Sequence, residues 1–330
     1  MSAARAVDTI LPMLTLRRRL RRSERAGFVR VALVVLLAIS AASAKNGMQV
    51  VVVPVANMYS KPTEKSEVVS QALYGNNVTL LVSRGEWSRI QTSDRYKGWT
   101  PSRYLRIVLS GDGYATAGPT VQVVSLFANI YAEPDVTKHK PVITVAFETK
   151  LEVAPEPADA KAKARKQKTE GWVHVRLAGM TLAWIQESDV VANPKPLTIA
   201  ESIELARRFL GLPYLWGGRS SFGFDCSGFT QMLVRARGIN MPRDADQQAA
   251  WSGLMAVDRK DLQPGDLLFF GSSAKDITHT GMYIGDGQFI HDSTSGHPVV
   301  QISCLDDEPW THLLVVSRRV KQAASAAAGQ

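Results

Sequence analysis

Phe224-Asp225-Cys226-Ser227-Gly228-Phe229 (FDCSGF, 224–229) stands where a glycine-rich segment, PYLWGG (213–218), gives way to the apolar run FTQMLV (229–234). An Asp before the Cys and a small-residue pair after it read as a helix start. The pattern CSGFTQMLVRARG (226–238) then predicts a helix that ends at Gly238. Cys226 is one of only two cysteines in the chain. At a helix N-terminus it lies among unpaired backbone N–H groups at the positive end of the dipole, a setting that favours a thiolate. The same N–H groups can hold the oxyanion of a tetrahedral intermediate. A buried structural thiol needs none of this.

Upstream, LTIAESIELARRFLG (197–211) has apolar residues near helical spacing and a terminal glycine, which predicts another helix. Downstream, DLLFFG (266–271), HTGMYIGDG (279–287) and QFIHDS (288–293) read as strands. Two helices followed by a run of antiparallel strands give an α+β domain over residues 195–320.

A thiol nucleophile needs a base, and two histidines offer themselves. Gly285-Asp286-Gly287 is a hairpin signal between His279 and His291. A three-residue loop pairs Ile284 with Gln288 and sets His279 opposite Ser293. His291 is then its diagonal neighbour on the same face. A two-residue loop would put the histidines on opposite faces. One imidazole can act as base and the second can orient it. A structural cysteine and a zinc site built from Cys226 and the two histidines remain open on these residues alone, although CxxC and HxxxH spacings are absent.

The region before residue 193 repeats itself. NMYSKP (57–62) matches NIYAEP (129–134), EWSRIQ (86–91) matches GWVHVR (171–176), and GWTPSRYL (98–105) matches AWIQESDV (183–190), in the same order. Short alternating segments between turn residues predict two small all-β barrels, over 45–110 and 118–192. The second carries a charged insertion, 154–170, read as an exposed extension. The tail 321–330 is low in complexity and is expected to be disordered.

The net charge of +9 is concentrated at the start: the first 44 residues hold eight Lys or Arg and two acids, a net of +6, which leaves +3 for the rest. No nucleic-acid partner is expected from that remainder. Residues 17–30 are a basic region, 31–40 a short apolar one, and Ala42-Ser43-Ala44 a small-residue cleavage site, so 1–44 reads as an export signal. The apolar run is about 14 residues, against about 20 for a spanning helix. The expectation is an exported, periplasmic or extracellular monomer with no membrane span after signal cleavage; an uncleaved anchor is the alternative. Cys226 and Cys304 could form one disulfide, but the setting of Cys226 argues for a free thiol.

Both barrels resemble bacterial SH3-like domains. LPYLWGG…GFDCSGF, then LQPGDLLFF, then HTGMYIGDGQFIH resembles, in order, the NlpC-type papain-like cysteine peptidases that hydrolyse peptidoglycan stem peptides. The resemblance implies Cys226 as nucleophile, His279 as base and His291 as the third, polar residue, with no metal or organic cofactor. Two SH3-like domains ahead of the peptidase are similar to the layout of γ-D-glutamyl-diamino-acid endopeptidases, which require a free N-terminal L-Ala. That subgroup implies substrate contacts at Tyr214, Asp225, Ser227 and Asp244, and at Glu67 and Tyr96 of the first barrel. An acid near that L-Ala would pair with its ammonium and disfavour an amide there. Asp244 also fits a helix N-cap before ADQQAAW (245–251), and Asp225 a cap for the Cys226 helix. A general wall hydrolase, a vestigial wall-peptide-binding protein and an acyltransferase are the competing functions.

Overall fold

The computed structural model describes residues 47–108, 113–155 and 169–321. The stretch read as an export signal, nearly all of the charged insertion and the tail beyond residue 321 lie outside the described residues.

The first barrel is built from β1 (Met48–Val51), β2 (Val55–Tyr59), β3 (Val68–Leu73), β4 (Asn77–Arg84), β5 (Trp87–Gln91), β6 (Lys97–Pro101) and β7 (Leu105–Ile107). The second comprises β8 (Thr120–Val123), β9 (Phe127–Tyr131), β10 (Ile143–Ala146), β11 (Lys150–Val153), β12 (Trp172–Arg176), β13 (Leu182–Gln186) and β14 (Val190–Ala192). Strand order is β3-β2-β6-β5-β4-β1-β7 in one and β10-β9-β13-β12-β11-β8-β14 in the other, the same topology twice. The repeated residues occupy equivalent places. Tyr59 pairs with Trp99 as Tyr131 pairs with Trp184. Tyr59 meets Trp87 edge-on at 5.5 Å, and Tyr131 meets Trp172 edge-on at 5.6 Å. The repeat in sequence is thus a repeat of cross-strand aromatic pairs, the contacts that fix register in small barrels.

The α+β domain opens with α1 (Ile199–Arg207), whose Thr198 and Glu201 form a reciprocal capping box. A short hairpin follows, β15 (Arg219–Ser220) with β16 (Gly223–Phe224), and leads into α2 (Cys226–Ala236). Then come α3 (Ala245–Ala249), β17 (Leu254–Val257), β18 (Leu267–Ser273), β19 (Asp276–Gly285), β20 (Gln288–Ser293), β21 (Val299–Cys304), α4 (Trp310–Leu313) and β22 (Leu314–Val320). The six-stranded sheet runs β17-β22-β18-β19-β20-β21.

Residues 226–234 of α2 are all buried. A helix buried on every side is the centre of its domain. Its Phe229 and Leu233 join Phe209, Phe269, Met282 and Ile290 in one core. The domains share cores as well. Phe147 of the second barrel belongs to the peptidase-domain core, and Tyr74 of the first barrel belongs to the core of the second. The amide of Ala178 donates to the Tyr74 hydroxyl at 2.8 Å. No helix among the described residues is long and apolar enough to cross a membrane.

Candidate active site

Cys226 is the first residue of α2, and its side chain is 7% exposed. Asp225 is the N-cap: its Oδ1 accepts from the Gly228 amide at 2.7 Å, and its Oδ2 accepts from the Gly217 amide at 3.0 Å. The other lone pairs take the guanidinium of Arg243, with Nη1 to Oδ1 at 2.9 Å and Nη2 to Oδ2 at 2.7 Å. Arg243 is 2% exposed and Asp225 8%, so this bidentate pair is largely desolvated, and both carboxylate oxygens are fully used. The thiol differs from the sequence expectation. Burial, then the Asp225 charge beside it, push Cys226 up to about 12, against the pull of the Thr280 and Ser227 amides and Arg243. Desolvation and the neighbouring carboxylate thus favour the uncharged thiol, against the helix dipole and the amides.

The histidines share a face, although the turn differs from expectation. Gly285 pairs with Gln288, so the loop holds only Asp286 and Gly287. A register shift between Tyr283 and Gly285 leaves Ile284 as an extra residue, after which Tyr283 faces Phe289 and Met282 faces Ile290. The bulge restores the alternation that a two-residue loop would have inverted. His279 Nε2 lies 2.8 Å from His291 Nδ1, and His291 Nε2 lies 3.0 Å from Ser303 Oγ. With Nε2 so engaged, Nδ1 is the His279 nitrogen free to take the thiol proton. That assigns Nε2–H of His279 as donor to His291 and Nε2–H of His291 as donor to Ser303. Phe270, Phe289 and Trp310 pack around both rings. Burial lowers His279 to about 4, opposed by Asp225, and lowers His291 to about 2, reinforced by His279. The Thr280 amide reaches the Cys226 sulfur, so the strand that carries His279 passes beside the nucleophile.

The remaining candidates divide. Tyr214 is half-buried within electrostatic reach of Cys226 and Asp225, and burial raises its phenol. Ser227 Oγ lies 3.2 Å from Asp225 Oδ1 and accepts from Arg243 Nη1 at 2.8 Å, so its hydroxyl is turned into the buried knot. Asp244 stands at the N-cap of α3 but makes no capping bond. Its Oδ2 accepts from Gln247 Nε2 at 2.9 Å, the Tyr96 hydroxyl of the first barrel lies close to it, and burial raises it against the pull of Arg243. Exposed Glu67 accepts from the Trp216 indole at 3.2 Å. Tyr96 and Glu67 thus reach the peptidase domain from one barrel. Cys226 and Cys304 are both free, and no metal-ligating cluster forms among the described residues.

The NlpC/P60 family profile matches residues 211–319, and a bacterial SH3 domain matches 54–106. The chain is 33% identical over 246 residues to a Bacillus cereus protein named gamma-D-glutamyl-L-lysine dipeptidyl-peptidase, covering 69% of this chain and 68% of that one. The chain belongs to the NlpC/P60 family. It is a cysteine peptidase. A Lysinibacillus sphaericus protein named dipeptidyl-peptidase 6 is 26% identical over 272 residues, covering 78% of this chain and 92% of its own. The crystal structure of an NlpC/P60 family protein from Bacillus cereus superposes with a TM-score of 0.70 at 26% identity, covering 83% of this chain and 99% of that one.

Several residues of this NlpC/P60 peptidase carry no signal in their own stretch of sequence. Arg243 sits beside Asp244, but nothing in PRDAD (242–246) marks its guanidinium as buried. Ser303 pairs with Phe289 on β21, a register no local motif supplies. Asp94 of the first barrel pairs with Arg219 at 3.1 Å across 125 residues of sequence. Asp292, next to His291, is fully buried with neither carboxylate oxygen hydrogen-bonded.

Proposed function

We propose that this peptidase hydrolyses the γ-D-Glu–diamino-acid bond of peptidoglycan stem peptides that carry a free N-terminal L-Ala. The observation that carries the reading is the Asp244 carboxylate, half-buried close to Tyr96 of the first barrel and beside the Arg243–Asp225–Cys226 corner. A carboxylate there suits an ammonium, and an acylated nitrogen would leave it desolvated without a cation. The names borne by the Bacillus and Lysinibacillus relatives support the same bond class.

The steps use neutral partners. As the Cys226 sulfur attacks the γ-carbonyl carbon of D-Glu, its proton passes to His279 Nδ1. The oxyanion forms against the backbone N–H groups at the start of α2. His279 returns the proton to the amine of the diamino acid, which leaves, and Cys226 holds a thioester. Water then loses a proton to His279 as it attacks the thioester, and the thiol regains that proton as the acid departs. His291 holds His279 through Nε2, and Ser303 holds His291.

The substrate is a trimmed fragment of the cell wall, and the basic and apolar stretches of residues 1–44 support export of a monomeric enzyme to where such fragments are released. The test is mass spectrometry of products from L-Ala-γ-D-Glu-diaminopimelate, its N-acetylated form and intact peptidoglycan. Release of L-Ala-D-Glu from the free-amine peptide, well ahead of cleavage of the other two substrates, is expected. Equal cleavage of the acetylated peptide or of intact wall would make the enzyme a general wall hydrolase, and no cleavage by an intact protein would favour a binding role.

A further inference from the structure

Residues 92–96, between β5 and β6, form a tight turn that ends in Tyr96. Its backbone closes by the Thr92 amide donating to Tyr96 O at 3.0 Å and the Arg95 amide donating to Thr92 O at 2.9 Å, with Arg95 at φ 67°. Asp94 sits inside this turn, and its two oxygens have different tasks. Oδ1 accepts from the Thr92 hydroxyl and, at 3.4 Å, faces the Tyr96 amide, so it shapes the turn. Oδ2 leaves the barrel. It accepts from Arg219 Nη1 at 3.1 Å and from Gln231 Nε2 at 3.1 Å, both in the peptidase domain.

Those two partners are the supports of the site itself. Arg219 follows the Gly217–Gly218 loop, and its amide donates to Gln71 of β3 at 3.1 Å. Gln231 lies on the Cys226 helix, and its amide also donates to Met241 O at 2.9 Å, at the head of the segment that delivers Arg243 and Asp244. The Arg219 and Asp94 side chains are 8% and 10% exposed, so the pair is desolvated. Burial opposes the charge on Asp94, yet Arg219, Thr92 and Gln231 hold its pKa below the ordinary value. Breaking such a pair from one side leaves a buried charge uncompensated, so the geometry has one stable arrangement.

We propose that Asp94 is a positioning residue for substrate selectivity: it locks the Tyr96 turn of the first barrel onto the Cys226 helix so that the Tyr96 hydroxyl meets Asp244 in the pocket for the substrate's amino terminus. The inference rests on the free-amine reading above and adds the residue that sets it. The barrel is then a fixed wall of the specificity pocket, and Asp94 acts on substrate only through Tyr96.

The experiment measures kcat/KM for L-Ala-γ-D-Glu-diaminopimelate and for its N-acetylated form in four purified proteins: wild type, Asp94→Asn, Tyr96→Phe and the double variant. Asp94→Asn is expected to lower kcat/KM for the free-amine peptide about tenfold, the scale of one charge-assisted hydrogen bond, chiefly through KM. The acetylated peptide is expected to change by no more than about twofold, because it does not use that contact. In the Tyr96→Phe background Asp94→Asn is expected to cost no further selectivity. Equal losses on both peptides, losses that multiply in the double variant, or unchanged selectivity would overturn the proposal. If Asp94→Asn does not fold, Gln231→Met removes one of the two anchors and keeps the ion pair; a folded Gln231→Met with wild-type selectivity would equally overturn it. A wild-type enzyme without free-amine selectivity would instead remove the functional reading, and this inference with it.

Discussion

A thiol and an imidazole that are both uncharged at rest still make a nucleophile if the proton moves between them as the carbonyl arrives. Cys226 near 12 and His279 near 4 describe such a pair. Ultraviolet titration of wild type against Cys226→Ser is therefore expected to show no thiolate absorbance from Cys226 between about pH 5 and pH 9. A thiolate step with a midpoint near 4 would instead mean a resting ion pair. Asp292 gives a second residue-scale prediction. Burial, then the Asp225 charge, raise it to about 8, with the nearby Ser293 amide pulling the other way. The folded state therefore holds a proton that the unfolded chain releases near 3.8. Stability from this group is complete below that value and falls as pH rises towards 8, by about 1.4 kcal/mol per pH unit. Asp292→Asn removes the titration. Its denaturant-derived stability relative to wild type is expected to rise steadily between about pH 4 and pH 8. A flat difference across that range would mean Asp292 is ionised in the native protein.

Elements place these residues, and some of that placement was legible in the sequence. The alternation of β19 and β20 and the glycine turn led to two histidines on one face, and the structure has them there through a bulge at Ile284 that periodicity does not encode. The start of α2 was legible because Asp225 caps it and small residues follow. The need for Gly228 was not. A Cβ on Gly228 would lie 2.1 Å from the Gly218 carbonyl oxygen, where helix and loop backbones touch. Alanine favours a helix interior over glycine by about 1 kcal/mol, yet a backbone clash of this size outweighs it. Gly281 is constrained from the other strand, since its Cβ would meet Phe289 Cδ2 at 2.8 Å and His291 Cβ at 3.0 Å. Gly281→Ala is therefore expected to push His291 off His279 and lower kcat by at least about tenfold, the scale of a misplaced base. Circular dichroism would confirm a folded variant. Unchanged kcat would mean that the His279–His291 contact does not hold the base.

At the scale of the molecule, long-range pairs were the part that sequence could not supply. Asp94 reaches Arg219 and Gln231 across 125 and 137 residues, and each looks like an ordinary polar residue in its own stretch. The barrels were legible as repeats, but their fusion with the peptidase domain was not, because Phe147 belongs to no motif in the sequence. In the structure Phe147 is 8% exposed inside the peptidase core, with its ring edge-on to Phe209 at 5.8 Å. Its amide donates to Ser221 Oγ at 3.1 Å, and the next residue, Glu148, takes Arg235 of α2 at 2.6 Å. An aromatic ring, a hydrogen bond and a half-buried ion pair thus join the second barrel to the peptidase domain, and the ion pair lands on the helix that carries Cys226. Domains that share a core in this way should unfold together. The described domains are expected to melt in a single calorimetric transition with equal calorimetric and van't Hoff enthalpies. Phe147→Ala is expected to cost about 3 kcal/mol by emptying that core position. The loss should appear in the peptidase domain's near-ultraviolet signal as well as in the barrels. Two resolved transitions in wild type, with Phe147→Ala moving only one, would mean the barrels are tethered modules. The Tyr96 wall of the pocket would then be free to leave the site, and the substrate's amino terminus would be read by the peptidase domain alone.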